Sequence, residues 1–226
     1  MLTSKLEVLV DFGPRVDEKI LDKTLNELKS QDGVKEAIFK DGAIMVETTL
    51  PSSNIVDMVT RTSGKRAVLQ GFGETQSAVA MVSSQSCCKG RVLGVVRFQQ
   101  SREGPLVADG SIDGLTTGLH GLHVHDAGDL SEGCSSIGGH YNPTGAPHGG
   151  PNDPTEDRHA GDLGNIVADE TGRATFRIVD NVLKVWDIVG RSVAVTQKKD
   201  DLGRGSSPTS IIDGDSGKPY LLCSAV

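Results

Sequence analysis

All six histidines of this 226-residue chain fall in one stretch, between positions 118 and 164. They are His120, His123, His125, His140, His148 and His159, and Asp162 follows three residues after the last of them. Imidazole nitrogens and carboxylate oxygens are the donors that zinc and copper favour. The intervening sequence is rich in Gly, Pro, Asn and Ser and has little propensity to order itself. An ion shared by several of these side chains would supply the ordering free energy that the loop lacks.

His123 and His125 stand two apart in a strand-like run, residues 119–125, so alternation sends both rings to one face. They can meet one ion without bending the backbone. Taken alone, the pair reads more simply as two solvent-facing or core histidines. His140, His148, His159 and Asp162 come from irregular sequence. Three imidazoles and one carboxylate complete a tetrahedral zinc shell with no position open, which marks a structural site. The plainer alternative is a solvated polar loop. Cys87 and Cys88 form a vicinal pair that can hold Cu(I) or oxidise, although two ordinary loop thiols explain it as well.

Two kinds of pattern surround this stretch. Residues 5–11 alternate like a half-buried strand. Asp17 can cap a helix carrying Ile20, Leu21, Thr24, Leu25 and Leu28 at helical spacing, which Gly33 ends. Residues 34–40 and 43–49 are strand-like and joined by Asp41-Gly42, a hairpin signal. Pro51 opens a second short helix ending near Gly64, and residues 66–70 close the set. The order βαββαβ predicts an α+β ferredoxin-like domain over residues 1–70. Residues 71–77 read as a linker. From there to residue 226 the pattern is all-β, a sandwich or barrel, with strand-like runs at 78–82, 92–99, 106–112, 119–125, 165–168, 174–179 and 193–196.

Composition narrows the function. A formal charge of −7 with no Lys/Arg block argues against nucleic acid. The N-terminus lacks the apolar core of a signal peptide, and no apolar run is long enough to span a bilayer. Four cysteines are too few for a secreted disulfide scaffold. A cytoplasmic protein is expected.

The motifs GLHGLHVHDAGD, Gly133-Cys134, GHYNP, HGGP, RHAGDLGN, VGR at 189–191 and DDLGRG at 200–205, in this order, resemble the copper/zinc superoxide dismutases. The resemblance implies a Greek-key barrel, zinc on His140, His148, His159 and Asp162, and copper on His123, His125 and a bridging His140. It also implies a disulfide between Cys134 and Cys223, and Asp200 as the carboxylate linking the ligands of the two metals. Two places depart from that family. Thr196 stands where a fourth copper histidine is expected, and a hydroxyl is a poor copper ligand. Tyr220 stands where an arginine would steer superoxide.

The preceding βαββαβ module, LQGFG at the junction and LKVWDIVGRS at 183–192 resemble the copper chaperones for superoxide dismutase. That family implies a heavy-metal-associated first domain with an MxCxxC copper motif; here the matching places are Phe12, Pro14 and Asp17, which offer no thiolate. Its CxC tail has no counterpart after Cys223, and the last barrel strand, with part of the dimer surface, is expected to be cut short. The resemblance implies docking on a dismutase subunit as a heterodimer to assist copper loading, or a homodimer. The alternatives are a dismutase enzyme with an extra domain, disfavoured by Thr196 and Tyr220, and a zinc-stabilised scaffold without copper transfer.

Overall fold

A computed structural model describes residues 2–12, 16–71, 75–83, 92–102, 104–217 and 219–224, the last group by backbone only. The chain divides into two compact units, Met1–Thr75 and Gln76–Val226.

The first unit contains β1 (Ser4–Val10), α1 (Glu18–Lys29), β2 (Val34–Lys40), β3 (Ala43–Thr48), α2 (Ser52–Ser63) and β4 (Ala67–Gly71). Its strands form one antiparallel sheet in the order β2-β3-β1-β4. Alternate residues of β1 (Leu6, Val8 and Val10) are buried with Leu28 of α1 and Ile55 and Val59 of α2, so both helices share the sheet's apolar face. Asp17 caps α1, accepting from the amides of Lys19 and Ile20 at 3.0 and 3.2 Å. Asp41 and Gly42 both have positive φ, as a two-residue hairpin loop following the strand twist requires.

The second unit is a closed barrel of eight antiparallel strands: β5 (Gln76–Ser83), β6 (Leu93–Gln100), β7 (Leu106–Asp113), β8 (Gly118–His125), β9 (Asp162–Ala168), β10 (Ala174–Asp180), β11 (Ser192–Thr196) and β12 (Pro219–Ser224). The ring order is β10-β7-β6-β5-β12-β11-β8-β9. The chain leaves the meander order between β7 and β8 and again between β10 and β11, the long connections of a Greek key. Val96, Phe98, Ile112, Leu122, Val124, Ile166 and Val193 fill the interior.

Several details depart from the sequence reading. The connection between the units is shorter than expected, because β4 runs through Gly71 and β5 begins at Gln76. An eighth strand, β12, appears where the continuous apolar run 221–223 gave no alternation, and it registers with all five residues of β11. The last strand therefore closes the ring despite its expected shortening. Two one-turn helices, α3 (Val185–Ile188) and α4 (Ser210–Asp213), are too short for a helical period to show. No helix among the described residues is long and apolar enough to cross a membrane.

Candidate metal centre

The centre lies against the outer face of β8. Leu122 and Val124 point into the barrel core, so alternation turns His123 and His125 outward, where the loop between β8 and β9 covers them. That loop is tied to β8 by backbone bonds. The amide of Tyr141 donates to the Val124 carbonyl at 2.8 Å, the Val124 amide to Gly161 at 2.9 Å, and the Asp126 amide to Gly139 at 3.0 Å. His140 thereby stands beside His125, its partner in an isolated bridge.

His140, His148, His159 and Asp162 converge, all buried, with ligand atoms within 4.8 Å of one another. The Asp162 carboxylate lies 2.9 Å from His140 Nδ1, 3.0 Å from His148 Nδ1 and 3.3 Å from His159 Nδ1. A tetrahedron with zinc–ligand bonds of 2.0–2.1 Å has edges of about 3.3 Å, so the spacing is compatible with four ligands around one ion. His148 Nδ1 and His159 Nδ1 are nonetheless buried without a hydrogen-bond partner. Buried polar atoms are normally paired, so these nitrogens have the arrangement of a donor set facing a shared cation. The sequence reading put all four residues in irregular loop; Asp162 instead opens β9, which joins the cluster to the barrel wall.

A second cluster, His123, His125 and His140, shares the His140 ring. His123 Nδ1 and His125 Nε2 are again buried and unpartnered. The other nitrogen of each ring is held: His125 Nδ1 lies 3.0 Å from the Gly138 carbonyl, and His123 Nε2 lies 2.9 Å from Asp200 Oδ2. The Asp200 Oδ1 atom lies 2.8 Å from His148 Nε2, so one carboxylate spans both clusters. Asp200 is itself fixed, its amide donating to Asn165 Oδ1 at 2.9 Å and its Oδ1 accepting from the Leu202 amide at 2.7 Å. Gly214, with φ +69°, packs so tightly here that a Cβ would overlap the Asp200 carboxylate.

Burial pushes His125 down to about 4, with the neighbouring His140 adding to the effect. His140 is likewise pushed down to about 4 by burial and by His123, and burial lowers His123. These rings are neutral near pH 7, as metal ligands must be. Burial opposes the charged form of His148, but Asp162 and Asp200 outweigh it and raise it to about 9. A cation in the centre adds the opposite field and favours loss of that proton. Burial also works against the Asp162 anion, yet the three imidazoles hold its carboxyl well below the usual range.

The sixth histidine, His120, joins neither cluster: Nδ1 lies 2.9 Å from the Thr196 carbonyl and Nε2 2.7 Å from the Thr116 carbonyl. Thr196 is buried at the end of β11. Tyr220 lies on β12, its side chain outside the described residues, and so does Cys223, whose backbone pairs with Val193. Cys134 sits in a turn that β12 packs against. Cys87, Cys88 and Pro14 lie outside the described residues; Phe12 stacks edge-on against Phe39.

Sequence reasoning missed Arg158. It is 1% exposed and donates to the carbonyls of His159 (3.0 Å), Pro151 (2.9 Å), Ala160 (3.1 Å) and Asp162 (2.7 Å), and to Asp180 (2.7 Å). Three of those carbonyls belong to the run that carries His159 and Asp162. Its adjacency to His159 in RHAGDLGN was the one available signal, and adjacency alone does not distinguish a buried clamp from a surface arginine.

With this geometry in place, comparison with known proteins is direct. The family described as copper/zinc superoxide dismutase (SODC) matches residues 92–226. The copper chaperone for superoxide dismutase of Rattus norvegicus is 48% identical over 216 residues, covering 92% of this chain and 76% of its own length. The corresponding mouse protein, from Mus musculus, is 47% identical over the same shares. The crystal structure of the clock protein EA4 superposes with a TM-score of 0.61 at 36% identity, over 69% of this chain and 97% of its own. The chain belongs to the copper/zinc superoxide dismutase family and, within it, to the copper chaperones for superoxide dismutase.

Proposed function

We propose that this chain assists the copper loading and maturation of a copper/zinc superoxide dismutase, docking on it through a zinc-stabilised barrel. The relatedness to the chaperones over 92% of the chain carries this reading. Zinc is held by His140, His148, His159 and Asp162, whose two unpartnered Nδ1 atoms and ligand-spaced carboxylate fit a closed tetrahedral shell. Zinc there fixes the loop and does no chemistry. Copper fits His123, His125 and His140, the nitrogen-only set of the second cluster. Asp200 orients one ring of each group. Cys134 and Cys223 form the disulfide that the family resemblance implies.

The first unit is a ferredoxin-like domain of the heavy-metal-associated type that has lost its copper thiolates. Phe12, which packs edge-on against Phe39, has no ligand atom, and Asp17, which caps α1, offers only a hard carboxylate oxygen. A cytoplasmic setting accords with a metal-handling protein of this kind.

The docking partner is a dismutase subunit. A candidate face lies around β5 and α3, which pack together and expose Met81 (68%), Trp186 (73%) and Val189 (46%). Exposed large apolar side chains of this kind mark association sites. Size-exclusion chromatography with disulfide-reduced, zinc-loaded dismutase subunits tests the reading. Co-elution as a heterodimer is expected, and Met81→Glu with Trp186→Glu abolishes it while keeping zinc content. Absence of a complex, or an undiminished complex with the double variant, overturns the docking reading.

A further inference from the structure

Arg191 ties the exposed α3 region to the loop that carries the metal ligands. α3 presents Trp186, and Val189 follows directly after its last residue. The Arg191 amide donates to the Ile188 carbonyl at 3.0 Å, which closes the turn out of α3. The guanidinium then lies over the Tyr141 ring, 3.7 Å from its centroid, and Nη1 donates to the Asp126 carbonyl. A cation seated this close to an aromatic face is held by the ring's quadrupole. Ser192, fully buried, adds a bond from Oγ to the Ala127 carbonyl at 2.7 Å. Gly128 packs directly against the same turn: a Cβ there would lie 2.6 Å from the Gly190 carbonyl oxygen.

Both supports of Arg191 adjoin metal ligands. Tyr141 follows His140 in the chain, and its carbonyl accepts from the Gly161 amide at 2.9 Å, next to Asp162. Asp126 donates its amide to the Gly139 carbonyl at 3.0 Å, next to His140. A loop fixed by zinc at His140 and Asp162 therefore fixes the ring and the carbonyl that Arg191 grips. We propose that Arg191 is a positioning residue that couples zinc occupancy to the order of the α3 face. With zinc bound, residues 185–191 are set for docking. Without it they loosen, and having to order them again weakens the complex. That consequence rests on the docking reading, whereas the coupling within this chain does not. The chain then engages its dismutase after taking up zinc itself.

The test uses the full chain with and without zinc, and Trp186, the single tryptophan, reports on α3. In the wild type, zinc removal is expected to lower Trp186 fluorescence anisotropy. It is also expected to speed amide exchange over residues 183–191 roughly tenfold more than over β6 and β7. Arg191→Met keeps the stem, removes the cation and is expected to show the loosened values whether or not zinc is bound, with zinc content unchanged. Tyr141→Phe keeps the ring and is expected to behave as the wild type. Tyr141→Leu is expected to match Arg191→Met, and it keeps the test informative should that variant fold poorly. For binding to a disulfide-reduced, zinc-loaded dismutase subunit, His159→Ala supplies the zinc-free chain, so that no chelator reaches the partner. His159→Ala is expected to weaken binding roughly tenfold alone and to add little to Arg191→Met. A zinc response undiminished in Arg191→Met and Tyr141→Leu overturns the inference, as does a wild type whose residues 183–191 ignore zinc. Loss of zinc from both variants overturns it too, because Arg191 then serves the zinc site and not the face. If residues 183–191 respond through Arg191 but no dismutase subunit binds in either state, the docking reading falls and the coupling stands.

Discussion

Arg158 Nη1 lies 2.7 Å from Asp180 Oδ2, and neither side chain meets solvent. Asp180 uses its other oxygen to accept from the amides of Val182 and Leu183 at 2.8 and 2.7 Å. The pair thus joins the segment that runs through His159 into β9 at Asp162 to the segment leaving β10. Breaking one half of a buried pair leaves an uncompensated charge and costs about 3–5 kcal/mol. Arg158→Met is expected to lower the melting temperature and to weaken zinc binding roughly 10–100-fold, as loss of a supporting contact does. Thermal melts and chelator competition measure the two effects separately.

Zinc removal has its own signature. A ligand that binds only the folded state stabilises it by about 2.7 kcal/mol at a hundred times its Kd. The protein shielded from chelators is expected to carry one zinc per chain with substoichiometric copper by elemental analysis. Its melting temperature falls on addition of a chelator and recovers with zinc. His159→Ala removes the chelator's effect.

Asp200 touches both histidine groups and lies outside the four-residue set proposed for zinc. Asp200→Asn keeps the shape but removes the negative charge and offers an amide to one of the two rings. Zinc affinity is expected to fall roughly 10–100-fold by competition with a chromophoric chelator, with little change in far-ultraviolet circular dichroism.

The metal-free protein is expected to weaken in mild acid. His125 and His140 titrate near 4 when folded, below the ordinary histidine value of 6.5. Between those values the unfolded chain binds more protons, so stability rises with pH through the window and is complete above 6.5. His148 has the opposite sign: raised to about 9, its contribution is present below 6.5 and is lost as pH rises through 9. Denaturant melts at stepped pH on chelated protein should show a stability maximum between the two windows.

Much of this was legible in the residues themselves. Asp41-Gly42 announced the β2–β3 hairpin because only a few residue types accept two positive φ values in succession. The two-residue spacing of His123 and His125 placed their rings together because strand alternation is a rigid rule. Loop convergence was different. No local pattern encodes that His148 and Asp162 meet; the count of zinc-type donors raised that expectation, and the family resemblance then implied it. Arg158 and Asp180 stayed hidden because a clamp on backbone carbonyls leaves no spacing signature. β12 stayed hidden because its apolar run, residues 221–223, does not alternate.

The position of β12 in the ring also bears on how the molecule is made. It slots between β11 and β5, the seventh and first strands of the barrel, and on the β5 side Leu222 stands in register with Ser83 among the described residues. Until β12 has been made, the other seven strands form an open sheet with two bare rims. Unpaired rims of that kind invite pairing with other chains. The barrel is therefore open to clumping until β12 is made, and pairing of β12 with both β11 and β5 is what ends that exposure.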